Sequence, residues 1–259
     1  MQLIHDHFQN FKRHNIPRAQ LLIADIPYNV GADAYGSNPQ WWIDGDASNG
    51  PSILAGKQFF DTDRDFRIPE FLHFTNRMLK PEPKECRQAG CMVVFCAFEQ
   101  QMELITEARK HGFAHYINLV FRKDSSPQVL KANMRIVGNC EYGLVLYRDK
   151  LPKFRNGGRM IMNCMEWQRD ATPKVHPTQK PIGVIRRLIE MFTDPGDVVG
   201  DPVAGSGITL AAAESIGRPS WGFEIKREFV TAFREQIAPT IHGTIHPTQG
   251  LLDFGEEAV

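Results

Sequence analysis

The sequence has no long apolar run. Stretches such as Leu21 to Ala24 and Met92 to Ala97 fall far short of the roughly 18 to 20 residues that a membrane span needs. No transmembrane helix is expected. The opening Met1 to Asp6 carries no basic stretch leading into an apolar core, so a secretory signal is not expected and a cytoplasmic protein is. Cysteine is sparse: there are five, none in CxxC spacing, which predicts free thiols and argues against a disulfide framework or a structural zinc site. Charge of one sign is missing too. The chain holds 30 Lys+Arg and 30 Asp+Glu, so a uniformly basic coat for a polyanion is excluded, though a local patch is not.

What is present is 259 residues, 42% of them hydrophobic, enough for a single α/β domain with insertions. Short apolar runs predict strands at 21–25, 91–97, 116–121, 142–147, 198–201 and 220–224. Helical periodicity covers 66–79, 99–111, 181–192, 207–216 and 226–237. Such alternation implies a largely parallel sheet with helices on both faces. Residues 29–65, rich in Gly, Asn, Asp and Ser around Trp41 and Trp42, hold no period and read as a long loop insertion. Residues 150–175 are basic and weakly periodic, like an inserted surface element.

The charge is unevenly spread. From Arg122 to Arg187 fourteen Lys and Arg stand against five acids, a net of +9. This fits a face that meets a polyanion, and equally a solvated face whose acidic complement lies beside it in the fold.

Three constellations could carry chemistry. Asp201-Pro202-Val203-Ala204-Gly205-Ser206-Gly207 follows a strand and opens a helix, where glycines let backbone approach a cofactor. Glu224 comes nineteen residues after Gly205, the spacing of an acid that binds ribose hydroxyls. The loop lacks the GxxxxGK[ST] of a phosphate loop and the third glycine of GxGxxG, so by itself it reads equally as a tight turn. Asp25-Ile26-Pro27-Tyr28 ends the first predicted strand. A carboxylate and a carbonyl accepting both hydrogens of an exocyclic amine would localise the nitrogen lone pair and stabilise positive charge during attack. An aromatic ring beside them could stack on a base drawn out of a duplex. A strand-to-loop turn with a packed Tyr explains the same four residues. His176-Pro177-Thr178-Gln179-Lys180-Pro181 precedes a helix and reads, alone, as its N-terminus.

Taken in this order, the three resemble the β-class amino-group DNA methyltransferases, which use S-adenosylmethionine. Weaker echoes reach across nearly the whole chain: Met78 to Pro81, Glu107 to Phe113, Val120 to Lys123, Glu141-Tyr142, Gly217-Arg218 and Gly222 to Glu224. The resemblance implies a Rossmann-like methyltransferase fold and transfer to adenine N6 in double-stranded DNA by base flipping. Cytosine N4 is the alternative acceptor, and a catalytically silent DNA-binding homologue the alternative class. The leading Asp favours adenine. Asp25, the carbonyl of Ile26, Pro27 and Tyr28 would form the catalytic segment, with Ile26 departing from the family's first proline. Asp6, Thr178, Lys180, Asp201, Ala204, Gly205, Ser206, Gly207 and Glu224 would bind the cofactor. A target-recognition insert maps to about 149–175, where Arg148, Lys150, Lys153, Arg155, Arg159, Arg169 and Lys174 would contact DNA. None of the five cysteines follows proline, so carbon-5 cytosine chemistry is not expected. The same resemblance implies a cytoplasmic enzyme of bacterial or phage origin, orphan or paired with a cognate restriction nuclease, with a homodimer conceivable and no membrane or metal involved. The 29–65 loop would close over the flipped base or meet a second subunit.

Overall fold

A computed structural model describes residues 1–28, 66–124, 128–131, 136–168, 170–176 and 178–242. The predicted 29–65 loop and Arg169 lie outside them. Among the described residues there are ten strands: β1 (Gln2–His5), β2 (Leu21–Asp25), β3 (Cys91–Cys96), β4 (His115–Lys123), β5 (Gln128–Lys131), β6 (Ile136–Gly138), β7 (Cys140–Tyr147), β8 (Cys164–Trp167), β9 (Val199–Asp201) and β10 (Ser220–Glu224). Eight form one sheet in the order β1-β10-β9-β2-β3-β7-β4-β8, and β5 and β6 pair as a separate ribbon. Within the large sheet β7 alone runs antiparallel to its neighbours. Its start, at Cys140 and Glu141, therefore lies at the edge where the other strands end.

The helices follow from the apolar periodicity. In α1 (Ile68–Met78) buried Phe71, Leu72, Phe74, Thr75 and Met78 mark one face, and Pro69 sits in the first turn, where its missing N–H costs nothing. Helix α2 is Gln100–Lys110 and α3 is Ile182–Phe192, entered from Pro181. Helix α4 (Ile208–Ser215) starts from Gly207 and is almost wholly buried. Alternate sheet residues feed two cores. Leu22, Ala24, Met92, Val94 and Cys96 pack with α1 and α2, while Leu21, Ile23, Val93 and Phe95 pack with α3 and α4.

Four features depart from the predicted organisation. Strand β1 was not foreseen; it pairs with β10, and four residues are too few to show a period. The β5 and β6 ribbon was missed for the same reason. Within the stretch expected to be a surface insert, β8 joins the large sheet in parallel with β4, and Pro152 bridges to Ala89, so part of it is integral to the fold. The helix predicted to end at 237 continues: α5 (Arg227–Ala232) passes through a π-turn at Phe233–Ile237 into α6 (Ala238–His242). All five cysteines are free thiols. Among the described residues no helix is long and apolar enough to cross a membrane, and no group of His, Cys, Asp or Glu could hold a metal ion.

Candidate active site at the carboxyl edge of the sheet

The chain leaves β2 toward β3 on one side and β9 toward β10 on the other, so β2 and β9, which pair directly, form the topological switch point. In open α/β sheets ligands settle in the crevice outside the carboxyl ends of such strands. Asp25 ends β2, Asp201 ends β9 and Glu224 ends β10. Two of the three sequence constellations thus converge by topology, and Lys180 brings the third.

Asp25 is embedded in a charged cluster. The Lys180 ammonium donates to its Oδ2 at 2.6 Å, and Lys180 is 5% exposed. Among the described residues the buried Oδ1 accepts no hydrogen bond. Burial pushes the Asp25 carboxyl above its ordinary range, and Lys180 offsets part of that. For Lys180, burial works against its charge, yet Asp25 and Glu141 hold its ammonium above the usual value. The Lys180 Nζ also lies 5.9 Å from the Tyr28 ring centre, 5.3 Å from that of Phe95 and 5.8 Å from that of Trp167, which favours a desolvated cation. The family resemblance assigns Lys180 to the cofactor pocket; here its ammonium rests on the Asp25 carboxylate.

The turn after β2 is pinned on both sides. The Ile26 N–H donates to the Phe95 carbonyl at 3.2 Å. Gln100 Nε2 donates to the Pro27 carbonyl at 2.9 Å, while Gln100 Oε1 accepts the Ala97 N–H. Ile26, where the family has proline, is 2% exposed and packs in the α1–α2 core. Side-chain packing thereby restrains a residue whose φ no ring fixes. The Tyr28 hydroxyl donates to Glu141 Oε2 at 3.1 Å.

The glycine loop forms a cradle. Gly205 and Gly207 have φ of 50° and 73°, the left-handed region that disfavours side chains. A Cβ on Gly207 would fall 2.3 Å from the Phe233 ring, and one on Gly205 would meet His176 at 3.5 Å. Ala204 and Ser206 are buried. Glu224 Oε2 accepts the Gly205 N–H at 2.9 Å and Oε1 accepts that of Lys226 at 2.7 Å, leaving each oxygen a lone pair for a hydroxyl. Asp201 is 4% exposed, and burial raises its carboxyl to about 7. A buried acid at a strand end, held by the Val203 N–H at 3.1 Å, is suited to a cationic ligand that would ionise it. These features fit S-adenosylmethionine, which has ribose hydroxyls at one end and an ammonium at the other.

The remaining assigned residues are less uniform. Thr178 is exposed and turns to His176, its Oγ1 lying 3.2 Å from Nδ1; His176 in turn faces Gly205. Asp6 follows the His5–Glu224 register pair of β1 and β10, which puts it at the right edge. Its oxygens are already engaged, by the His7 N–H and Asn10 at Oδ1 and by His14 at Oδ2.

Of the residues assigned to DNA, Arg148, Lys150, Lys153 and Arg155 have side-chain partners within the fold. Arg148 donates to the Lys80 carbonyl and Lys150 to those of Pro83 and Lys84. Lys153 reaches Asp194 at 2.8 Å and Asp197 at 2.5 Å. Arg155 makes two 2.7 Å bonds to Asp194. Lys153 and Arg155 thus meet acids that lie beside the basic segment, whereas the Arg148 and Lys150 side chains meet backbone carbonyls. Arg159 and Lys174 are exposed.

Sequence reading missed Glu141, Lys123 and Trp167. Lys123 ends β4 and pairs its ammonium with Glu141 Oε1, and its register partner in β8 is Trp167. Glu141 had been noticed only for entering a strand; the signal that could have placed it is the reversed direction of β7.

Comparison with known proteins agrees with this geometry. The model of the DNA methylase family N6_N4_Mtase matches residues 19–235. The DNA adenine methyltransferase YhdJ of Escherichia coli K12 is 24% identical over 251 residues, covering 88% of this chain and 79% of that one. The crystal structure of the M1.HpyAVI–SAM complex superposes with a TM-score of 0.62 at 19% identity, covering 90% and 98% of the two chains. The cytosine-N4-specific PvuII DNA methyltransferase gives 0.64 at 17%, covering 93% and 89%. At these identities the structural matches carry the fold, a mostly parallel α/β methyltransferase sheet. The family match spans most of the chain, and the chain belongs to the N6/N4 amino-methylating DNA methylase family.

Proposed function

We propose that the protein transfers a methyl group from S-adenosylmethionine to the N6 amine of adenine in double-stranded DNA, with the target base flipped out of the helix. One observation carries the reading: a buried carboxylate oxygen, Asp25 Oδ1, without a hydrogen-bond partner among the described residues, in a turn that also presents Tyr28. A buried acceptor left unpaired costs about 1–3 kcal/mol, and an amine N–H of the target would satisfy it.

In this reading Asp25 Oδ1 and the Ile26 carbonyl accept the two amine hydrogens. They draw the nitrogen lone pair out of conjugation and stabilise the positive charge that grows as the N–C bond forms. Asp25 can then accept the proton that nitrogen must lose. S-adenosylmethionine supplies an electrophilic methyl on a sulfonium, which keeps the S–C electron pair as that bond breaks. Lys180 favours the ionised Asp25, and the Tyr28 ring offers a stacking face to the base. Glu224 would take the ribose hydroxyls, and Asp201 with Gly205 and Gly207 the methionine end.

Cytosine N4 is an exocyclic amine of the same kind, and the fold likeness to a cytosine-N4-specific enzyme supports it as the second reading. The leading Asp of Asp25-Ile26-Pro27-Tyr28 and the adenine-directed relative favour adenine. Mass spectrometry of digested DNA after incubation with purified protein and S-adenosylmethionine tests this. N6-methyladenine is expected; N4-methylcytosine alone would move the acceptor, and neither product would leave a silent homologue.

A further inference from the structure

Glu141 lies at the start of the antiparallel β7, opposite Phe121 of β4, and so at the edge where Asp25 ends its own strand. Its side chain is 18% exposed. Each of its oxygens has a distinct partner: Oε1 the Lys123 ammonium, Oε2 the Tyr28 hydroxyl at 3.1 Å. Burial would push this carboxyl up, but Lys180 and Lys123 hold it below its ordinary range. Glu141 is therefore ionised beside a cluster in which Lys180 is the cation and Asp25 the other anion.

Two consequences follow from the arrangement. Tyr28 has a single hydroxyl proton. Asp25 and Glu141 both lie near enough to draw it; Glu141 Oε2 accepts it at 3.1 Å, and Asp25 Oδ1 has no partner among the described residues. The second concerns charge. Lys180 faces two carboxylates, Asp25 and Glu141, so its charge is shared between them and not spent on Asp25 alone, while Lys123 pairs with Glu141 and brings the four groups to zero net charge. Asp25 keeps one oxygen locked by Lys180 at 2.6 Å and the other without a partner among the described residues.

We propose that Glu141 is a positioning residue of the methyl-transfer site: it takes up the Tyr28 hydroxyl, fixing the stacking ring, and counterbalances Lys180, so that Asp25 Oδ1 remains open to the target amine. This rests on the methyltransferase reading above. Glu141 acts through Tyr28, Lys180 and Asp25 and need not touch the base.

The test is a double-mutant cycle on the full chain, scored by steady-state transfer of labelled methyl groups to DNA, with near-ultraviolet circular dichroism to confirm folding. Glu141→Gln keeps an acceptor for the hydroxyl but removes the charge; Glu141→Ala removes both. Both should lower kcat, Ala by about tenfold or more, with KM for S-adenosylmethionine little changed. Glu141→Gln should retain more activity than Ala. Glu141→Ala in a Tyr28→Phe background should cost less than it does alone, because part of its effect runs through the hydroxyl. Fully additive costs, or a folded Glu141→Ala with wild-type kcat, would overturn the role of Glu141 while leaving the reaction in place. Absence of transfer by the wild type would overturn the methyltransferase reading, and this inference with it.

Discussion

Two clusters in this molecule are built from the same groups and end in opposite states. Around Asp194 and Asp197 every carboxylate oxygen is taken. Arg155 holds both oxygens of Asp194, Lys153 bridges the two acids, Lys80 takes Asp197 Oδ1, and the Asp194 N–H reaches Asp197 Oδ2. Around Asp25, Lys180 takes one oxygen and the other has no partner among the described residues. The acidities follow. For Asp194 the hydrogen bonds from Arg155 and Lys153 draw the carboxyl well below its usual range, and for Asp197 those from Lys153 and Lys80 outweigh burial. For Asp25 burial wins and the carboxyl rises. A closed cluster ties α3 to the chain beyond β7; an open one is ready for a ligand. Charge alone does not distinguish the two, but an unsatisfied buried oxygen does.

Exchanging the lysines should sharpen the contrast most. Lys180→Met leaves Asp25 buried without its cation, so the carboxyl should hold its proton nearer neutrality and methyl transfer should fall about a hundredfold. Initial rates with labelled cofactor would check it, and unchanged rates would remove Lys180 from the site. Lys153→Ala should do the reverse: the loss of a largely buried partner of two acids should cost about 2 kcal/mol of stability, read by urea denaturation, with kcat unchanged.

Acidity offers a third way to separate them. The depressed carboxyls of Asp194 and Asp197 contribute stability that is present above their ordinary value of 3.8 and is lost as pH falls through their lower folded values. Asp25 must be ionised to accept the amine, and its raised carboxyl should make transfer fail on acidification first, at pH above 3.8, while the protein remains folded. Rate and unfolding midpoint measured over the same pH series should decline in that order. Coincident decline would show that activity is lost through unfolding.

The smallest effect concerns DNA. Because Lys153 and Arg155 are occupied by acids, replacing either should leave the salt dependence of DNA binding nearly unchanged. Lys174→Ala, at an exposed lysine before the His176 segment, should lower the slope of log affinity against log salt by about 1 if it meets a phosphate. Fluorescence anisotropy across a salt series resolves the difference.

Much of this was legible beforehand. Strands β2, β3, β9 and β10 and helices α1 to α4 announce themselves by apolar runs and periodicity, and Asp25, Asp201 and Glu224 stand at strand ends, with Gly205 in the loop that follows β9, where α/β sheets keep their chemistry. Lost were features that depend on direction or on partners distant in sequence. Glu141 begins a strand, and only the reversal of β7 brings it to the active edge. The basic charge of Lys153 and Arg155 pointed to a polyanion because their acids lie some forty residues away, between α3 and β9. Strand β8 hid in a segment whose composition suggests a surface insert, and the π-turn that seats Phe233 on Gly207 has no marker in the sequence.

The most direct test of the open cluster is Asp25→Ala, assayed in one preparation for S-adenosylmethionine affinity by calorimetry and for methyl transfer by mass spectrometry of DNA. The account predicts affinity within about twofold of wild type and transfer reduced at least about a thousandfold. Transfer near the wild-type rate by the folded variant would contradict it.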